Sequence, residues 1–157
     1  MAYDFNAADI FEMAEQIERN GMAYYRKASE KATSPEAKEF FSFMSGIEAQ
    51  HEKTFAAMRE ELTRSEAQPT VFDPDNESVL YLRALADTKV FTKEQEPPEE
   101  MEAILNMAID AEKNSIAFYS GMRDLVPEKR GKERLDHIIQ EEKSHIVLLT
   151  RKIQEFC

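Results

Sequence analysis

Two Glu-x-x-His pairs in this sequence have the residue types and spacing of metal ligands. Residues three apart lie on one face of a helix, so each pair can hold one ion. A lone Glu precedes each pair by thirty residues, and the second set follows the first by 94 positions, as 112 follows 18. The six candidate metal ligands are Glu18, Glu48, His51, Glu112, Glu142 and His145. Four carboxylates and two imidazoles on four helices are the ligand set of a two-metal site in a four-helix bundle.

The donor atoms limit which metal such a site would hold. Carboxylate and imidazole without thiolate suit iron or manganese, and zinc is possible by affinity alone. Four carboxylates balance two divalent cations, whereas an empty site would place like charges together in a core of low dielectric constant. The sequence therefore predicts two bound ions, with Glu18 and Glu112 either bridging or capping them.

Two tyrosines share the inner helix face with these carboxylates. Tyr25 and Tyr119 each lie seven residues after a lone Glu. Each could donate a hydrogen bond to a ligand carboxylate or stand near bound oxygen species. The alternative is an ordinary core tyrosine whose hydroxyl is satisfied elsewhere.

Other polar residues near the motifs are less suited to bind metal. Glu15, one turn before Glu18, is either an additional ligand or a residue of the helix surface. Glu141 is adjacent to a ligand in sequence but is predicted to point off the ligand face. His137 has no counterpart in the first repeat and is expected to be partly exposed.

Four long helices are needed to position these residues, so the predicted class is all-α. Residues 1–157 would form a single domain, with helices at about 7–31, 36–66, 99–124 and 131–156 from hydrophobic periodicity. Ser34 and Pro35 predict the N-cap and first position of the second helix. In two antiparallel hairpins, each lone Glu reaches the height of its Glu-x-x-His pair. The connection at 67–98, with a short helix predicted at 78–87, is long enough to run the length of the bundle.

Composition excludes several classes of function. The net charge is −11, and no cluster of Lys and Arg indicates a nucleic-acid surface. The one cysteine, Cys157, allows neither a disulfide within the chain nor a zinc-thiolate site. No apolar run reaches about 18 residues, and the N-terminal residues lack a basic stretch. We therefore expect a cytoplasmic protein that binds neither nucleic acid nor membrane.

The segments around the ligands resemble the erythrin domain of rubrerythrins, in the ferritin-like superfamily of two-iron carboxylate proteins. Residues 17–25 (Ile-Glu-Arg-Asn-Gly-Met-Ala-Tyr-Tyr) and 139–146 (Ile-Gln-Glu-Glu-Lys-Ser-His-Ile) carry most of a resemblance that covers nearly the whole chain. It implies a ferritin-like bundle that binds two irons through the six candidate ligands. It also implies reduction of hydrogen peroxide by the reduced iron pair, and frequent dimerisation.

Two departures from the family pattern bear on this expectation. Rubrerythrins usually carry a rubredoxin-type iron site held by four cysteines, whereas this chain has one. Electrons would therefore come from a separate donor protein such as a rubredoxin. Typical members also have a carboxylate one turn after the position of Glu112, where this chain has Ser115. This substitution puts the associated ligand exchange, and efficient peroxidase turnover, in question.

Three functions remain open at the level of sequence. The first is a rubrerythrin-like peroxidase that keeps two irons through many turnovers and forms a small oligomer such as a homodimer. The second is an iron-binding or storage protein that oxidises Fe(II) with oxygen and accumulates many irons per chain. The third is a regulatory or structural bundle with vestigial metals, which would be fully stable without them.

Overall fold

The computed structural model describes four helices and parts of the connections between them. It covers residues 7–61, 81–82, 84, 96–126 and 129–157. The helices are α1 (Ala7–Lys31), α2 (Pro35–Glu61), α3 (Met101–Leu125) and α4 (Lys129–Phe156). No strand occurs within these ranges, and the predicted all-α class is confirmed. The predicted continuation of the second helix to residue 66 and most of the 67–98 connection lie outside the described residues.

The helix starts follow the local chemistry of the chain. α2 begins at Pro35, and the backbone N–H of Ala37 donates to Ser34 Oγ at 3.1 Å, so the predicted cap is confirmed. α3 begins at Met101, two residues later than predicted, because Glu100 has an extended backbone (φ −83°, ψ 134°). α4 begins two residues earlier than predicted, at Lys129.

Two apolar clusters fill the bundle, one at each end. The first joins the start of α1 and the end of α2 to the end of α3 and the start of α4; its largest members include Phe11, Phe55, Phe118 and Leu135. The second joins the four opposite helix ends and includes Tyr24, Phe41, Leu105 and Leu149. α1 therefore runs parallel to α4 and antiparallel to α3. The connection from α2 to α3 starts at one end of the bundle and finishes at the other, as predicted.

The described parts of this connection contact both ends of the bundle. Tyr81, Leu82 and Ala84 are helical and lie within the short helix predicted at 78–87. Leu82 is buried in the first apolar cluster, and its Cδ2 would lie 2.8 Å from a Cβ added to Gly121 of α3. At the other end, Lys31 Nζ donates to the carbonyl of Pro97 at 2.7 Å.

Within the ranges described, none of the helices has an apolar stretch of the length that a bilayer span requires.

Candidate metal centre

All six predicted ligand residues lie in one polar layer between the two apolar clusters. None is more than 3% exposed. α1 and α3 each contribute one carboxylate, whereas α2 and α4 each contribute a carboxylate and an imidazole; the residues are Glu18, Glu112, Glu48, His51, Glu142 and His145. Such a concentration of ionisable groups in a core is costly unless the charges are compensated.

The donor atoms form two overlapping groups, and within each group they lie within 4.8 Å of one another. The first group consists of Glu18, Glu48, His51 and Glu142, and the second of Glu48, Glu112, Glu142 and His145. Glu48 and Glu142 belong to both groups, whereas each lone carboxylate belongs to one. Two ions held by these groups would share Glu48 and Glu142, whereas Glu18 and Glu112 would each serve one ion.

Buried polar atoms without a hydrogen-bond partner show that the layer suits cations. They include one oxygen each of Glu18, Glu48 and Glu112. Each unsatisfied buried group costs about 1–3 kcal/mol. No Lys or Arg of the described chain belongs to the layer. Oxygen and imidazole donors in this number fit two ions of the iron or manganese type.

The shared carboxylates are strongly perturbed by their surroundings. Burial raises the pKa of Glu48 well above its usual value, and the Glu142, Glu18 and Glu112 carboxylates raise it further. Burial likewise raises the pKa of Glu142, as do the neighbouring Glu112 and Glu18. Each of these groups disfavours negative charge on the others, which is the electrostatic arrangement that a divalent cation relieves.

The pKa values of the two imidazoles are raised and that of the lone carboxylate Glu112 is lowered, so these three groups favour their charged forms. Burial would lower the pKa of His51, but hydrogen bonding to Glu142 and Glu18 outweighs it and raises the pKa to about 12. The same opposition raises the pKa of His145 to about 10, with Glu112 as the main partner. Burial would raise the pKa of Glu112, but hydrogen bonds within the layer lower it to about 2.

The two predicted tyrosines contact the lone carboxylates across the bundle. Tyr25 on α1 donates to Glu112 Oε1 on α3 at 2.7 Å, and Tyr119 on α3 donates to Glu18 Oε1 on α1 at 2.6 Å. Both side chains are fully buried. Burial raises the pKa of each hydroxyl well above its usual value, and the carboxylate beside it adds to the shift. Both hydroxyls therefore remain protonated and hold one oxygen of each lone carboxylate.

Glu141 is a residue of the site that sequence reasoning missed. It belongs to neither ligand group, as its position on α4 predicts, but its Oε2 accepts a hydrogen bond from His51 Nε2 on α2. Its Oε1 lies 2.8 Å from Nε2 of His137, whose side chain is 75% exposed. Burial would raise the pKa of Glu141, but the hydrogen bond with His51 lowers it. An ionised carboxylate only accepts hydrogen bonds, so His51 carries a proton on Nε2 and directs Nδ1 to the polar layer.

Glu15 and Ser115 are two further buried polar residues, and the environment of Glu15 differs from that expected. Glu15 is neither a member of a ligand group nor a surface residue: it is 3% exposed and pairs with Arg59 of α2, with 2.7 Å between Oε2 and Nε. Ser115 is buried, and its hydroxyl donates to the carbonyl of Ala111 at 2.9 Å. No carboxylate stands at this position.

A cleft of about 600 Å³ between α2 and α4 reaches one side of the layer. Of the six candidate ligands its lining includes His51, together with Glu141, His137 and Thr54. The cleft thus borders the layer on the side of His51.

Comparisons with known proteins agree with this arrangement. A family model described as Rubrerythrin matches residues 9–152. A crystal structure from Thermotoga maritima, described as a ferritin-like diiron-carboxylate protein, is similar over 100% of both chains, with a TM-score of 0.72 and 23% sequence identity. At this identity the likeness shows the fold alone. No curated protein gives a significant match.

Proposed function

Because the chain belongs to the rubrerythrin family, we propose that it is a di-iron oxidoreductase that reduces hydrogen peroxide with electrons from a separate donor. The observation that carries this proposal is the pair of buried ligand groups that share Glu48 and Glu142. A single group would bind one ion. Two groups with shared carboxylates suit two adjacent ions that act on one small oxidant.

The ligand residues divide into two sets around the proposed ions. Glu18 and His51 would complete one coordination sphere and Glu112 and His145 the other. When bound and reduced, the two irons would supply two electrons, which with two protons convert one hydrogen peroxide into two water molecules.

Residues around the candidate ligands orient the lone carboxylates and limit the access of water. The hydroxyls of Tyr25 and Tyr119 occupy one oxygen of each lone carboxylate, which leaves the other oxygen for an ion. The apolar clusters at both ends of the bundle exclude bulk water. Peroxide is small and polar, and the cleft beside His51 is the route by which we expect it to enter.

The electron source is part of the proposal. These 157 residues contain one cysteine and cannot form the four-cysteine iron site that rubrerythrins usually carry. We propose that a separate protein such as a rubredoxin supplies electrons, and that the chain acts as a homodimer in the cytoplasm.

The test is metal analysis followed by oxidation kinetics. Protein purified without chelator should contain about two irons per chain and behave as a small oligomer. The anaerobically reduced protein is then mixed with hydrogen peroxide or with oxygen in a stopped-flow instrument. Peroxide should oxidise it at least about tenfold faster than oxygen at equal concentration, and added electron donor should restore the reduced state. Equal or faster oxidation by oxygen would contradict the peroxidase proposal.

One observation favours ferroxidase chemistry for iron storage or detoxification as a second candidate. Ser115 replaces the carboxylate that typical family members have one turn after Glu112, and its hydroxyl is engaged with the backbone. If the chain stores iron, Fe(II) added in air should accumulate as Fe(III) well beyond two ions per chain in a large assembly. Retention of about two irons would instead support the peroxidase.

A further inference from the structure

The internal repeat is broken at the residue that contacts the outer nitrogen of His51. The offset of 94 positions pairs His51 with His145 and Glu48 with Glu142. It also pairs Glu141 with Ile47, because both lie one residue before a shared carboxylate. Glu141 accepts the hydrogen bond from His51 Nε2. Ile47 offers no acceptor for His145.

We propose that Glu141 is a positioning residue that makes the two metal positions unequal. The position formed by Glu18 and His51 then binds its ion more tightly than the position formed by Glu112 and His145. This inference rests on the proposed function and adds that the two metal positions fill in a fixed order, with the His51 position first.

The hydrogen bond acts on both the tautomer and the orientation of the ring. With a proton held on Nε2 of His51, Nδ1 is the nitrogen that presents its lone pair to an ion once that ion replaces the Nδ1 proton. Nδ1 already lies 2.7 Å from Oε1 of Glu142, whereas Nδ1 of His145 lies 3.3 Å from Oε2 of the same residue. Loss of such an outer partner typically costs about 10–100-fold in metal affinity.

Glu141 can be replaced without disturbing the core. Its side chain is 40% exposed, and its second partner, His137, is exposed on the same helix. It also lines the cleft beside His51. A change of affinity on substitution would therefore reflect the contact with His51 and not collapse of the bundle.

The experiment is a titration of the chelator-treated full-length protein with Co(II) under anaerobic conditions, followed by visible absorption. The wild-type protein should bind in two steps separated by about 10–100-fold. Glu141→Ala should weaken the tight step by about that factor and leave the weak step within about threefold. Glu141→Gln keeps a carbonyl acceptor, so its loss should be smaller than that of the alanine variant.

Two further variants sharpen the test. Glu52→Gln changes a carboxylate that adjoins His51 in sequence but pairs with Arg19 at 3.0 Å, and both binding steps should stay unchanged. Ile47→Glu places a carboxylate at the position equivalent to Glu141. It should tighten the weak step toward the strong one.

A spectroscopic readout separates positioning from general stability. In ¹H–¹⁵N spectra of the Zn(II)-loaded protein, where the ion replaces the Nδ1 proton, His51 should show a slowly exchanging proton on Nε2, and this signal should weaken in Glu141→Ala at unchanged helix content. Equal affinity of both steps in the wild type, or equal weakening of both steps in Glu141→Ala, would overturn the inference. A wild-type protein that binds no Co(II) and no iron would instead overturn the proposed function itself.

Discussion

The hairpins α1–α2 and α3–α4 are built on one repeat but differ outside the ligand layer. Glu, Glu-x-x-His and the buried tyrosine occupy equivalent positions in both. One layer further out the pairs diverge: Glu15 and Arg59 correspond to Ile109 and Ile153, and Tyr24 corresponds to Phe118. Residue types thus match where both hairpins contribute to the polar layer. They differ outside this layer, where a polar pair in one hairpin corresponds to an apolar pair in the other.

Each hairpin also completes the site of the other. Tyr25 of the first donates to Glu112 of the second, and Tyr119 of the second donates to Glu18 of the first. Glu141 of the second accepts a hydrogen bond from His51 of the first, whereas the side chain of Ile47, at the equivalent position of the first hairpin, offers no acceptor. The site therefore has two-fold organisation in its capping contacts and is asymmetric at its imidazoles.

The largest expected effect distinguishes shared from lone carboxylates. Glu48→Gln or Glu142→Gln removes a charged ligand common to both groups, so both ions should bind weakly or not at all. The loss should exceed the roughly 10–100-fold that follows from losing an outer hydrogen-bond partner. Glu18→Gln or Glu112→Gln should cost one ion per chain and leave the other. Metal content after gel filtration measures this.

The matched comparison is between Glu48→Gln and Glu18→Gln, since both residues are buried and both changes are isosteric. Loss of the same number of ions from the two variants would show that the groups are not divided as the geometry indicates.

The next effect is the pH dependence of stability. It should arise in the polar layer, which contains the buried ionisable groups, and not in the apolar side chains of the two clusters. The pKa values of His51 and His145 are raised to about 12 and about 10 in the folded protein. Their contribution to stability is fully present below the unfolded pKa of about 6.5 and is lost as pH rises through the folded values. The raised pKa values of Glu48 and Glu142 act in the same direction.

The metal-free protein should therefore lose stability between pH 6.5 and 10. Each histidine contributes up to about 1.4 kcal/mol per pH unit in this window. Bound metal replaces these protons, so the loaded protein should vary much less. Urea unfolding at pH 6, 7.5 and 9 gives the slopes. A metal-free protein that is more stable at pH 9 than at pH 6 would contradict the assignment.

Sequence alone predicted most of the fold because the repeat and the helical period are local signals. The α2 cap at Ser34 follows from its position before Pro35, and the bundle class follows from four periodic segments. The clustering of the six candidate ligands was predicted because both hairpins place equivalent residues at one height. Because α2 ends at one end of the bundle and α3 begins at the other, the connection between them must run the length of the bundle.

Hydrophobic periodicity within one helix does not predict which residues of a neighbouring helix a side chain contacts. Glu141 was predicted off the ligand face, which is right for its own helix, yet it touches His51 on α2. Glu15 was expected to be a ligand or a surface residue, but its partner Arg59 lies 44 positions away. In both cases the residue's environment depends on a neighbouring helix. The signal that points to Glu141 is the break in the repeat opposite Ile47.

A smaller effect on the free energy of unfolding compares the Glu15–Arg59 pair of the first hairpin with the Ile109 and Ile153 pair of the second. Arg59→Ile leaves Glu15 buried without its cation and should destabilise the protein by about 1–3 kcal/mol. The double variant Glu15→Ile/Arg59→Ile recreates the Ile109 and Ile153 pair of the other hairpin and should recover most of that loss. Thermal unfolding of the two variants decides it. A double variant less stable than the single one would show that the halves are not interchangeable at this layer.

The smallest effect concerns the tyrosines that link the hairpins. Tyr25→Phe frees Glu112 and should weaken the ion position formed with His145 by about two- to tenfold, since one buried hydrogen bond contributes about 0.5–1.5 kcal/mol. Tyr119→Phe frees Glu18 and should weaken the position formed with His51 by a similar factor. The two variants should thus act on different steps of a Co(II) titration.

Tyr24→Phe is the matched control for both variants. Its hydroxyl donates to the carbonyl of Ile104 at 2.8 Å, away from the ligand layer, and the equivalent residue in the second hairpin is already Phe118. This change should lower stability by about 0.5–1.5 kcal/mol and leave both binding steps unchanged. If Tyr25→Phe and Tyr24→Phe behaved alike, the hydroxyl of Tyr25 would serve packing and not the position of Glu112. The reciprocal contact from Tyr119 would then need the same reinterpretation, because the two hydrogen bonds are related by the repeat.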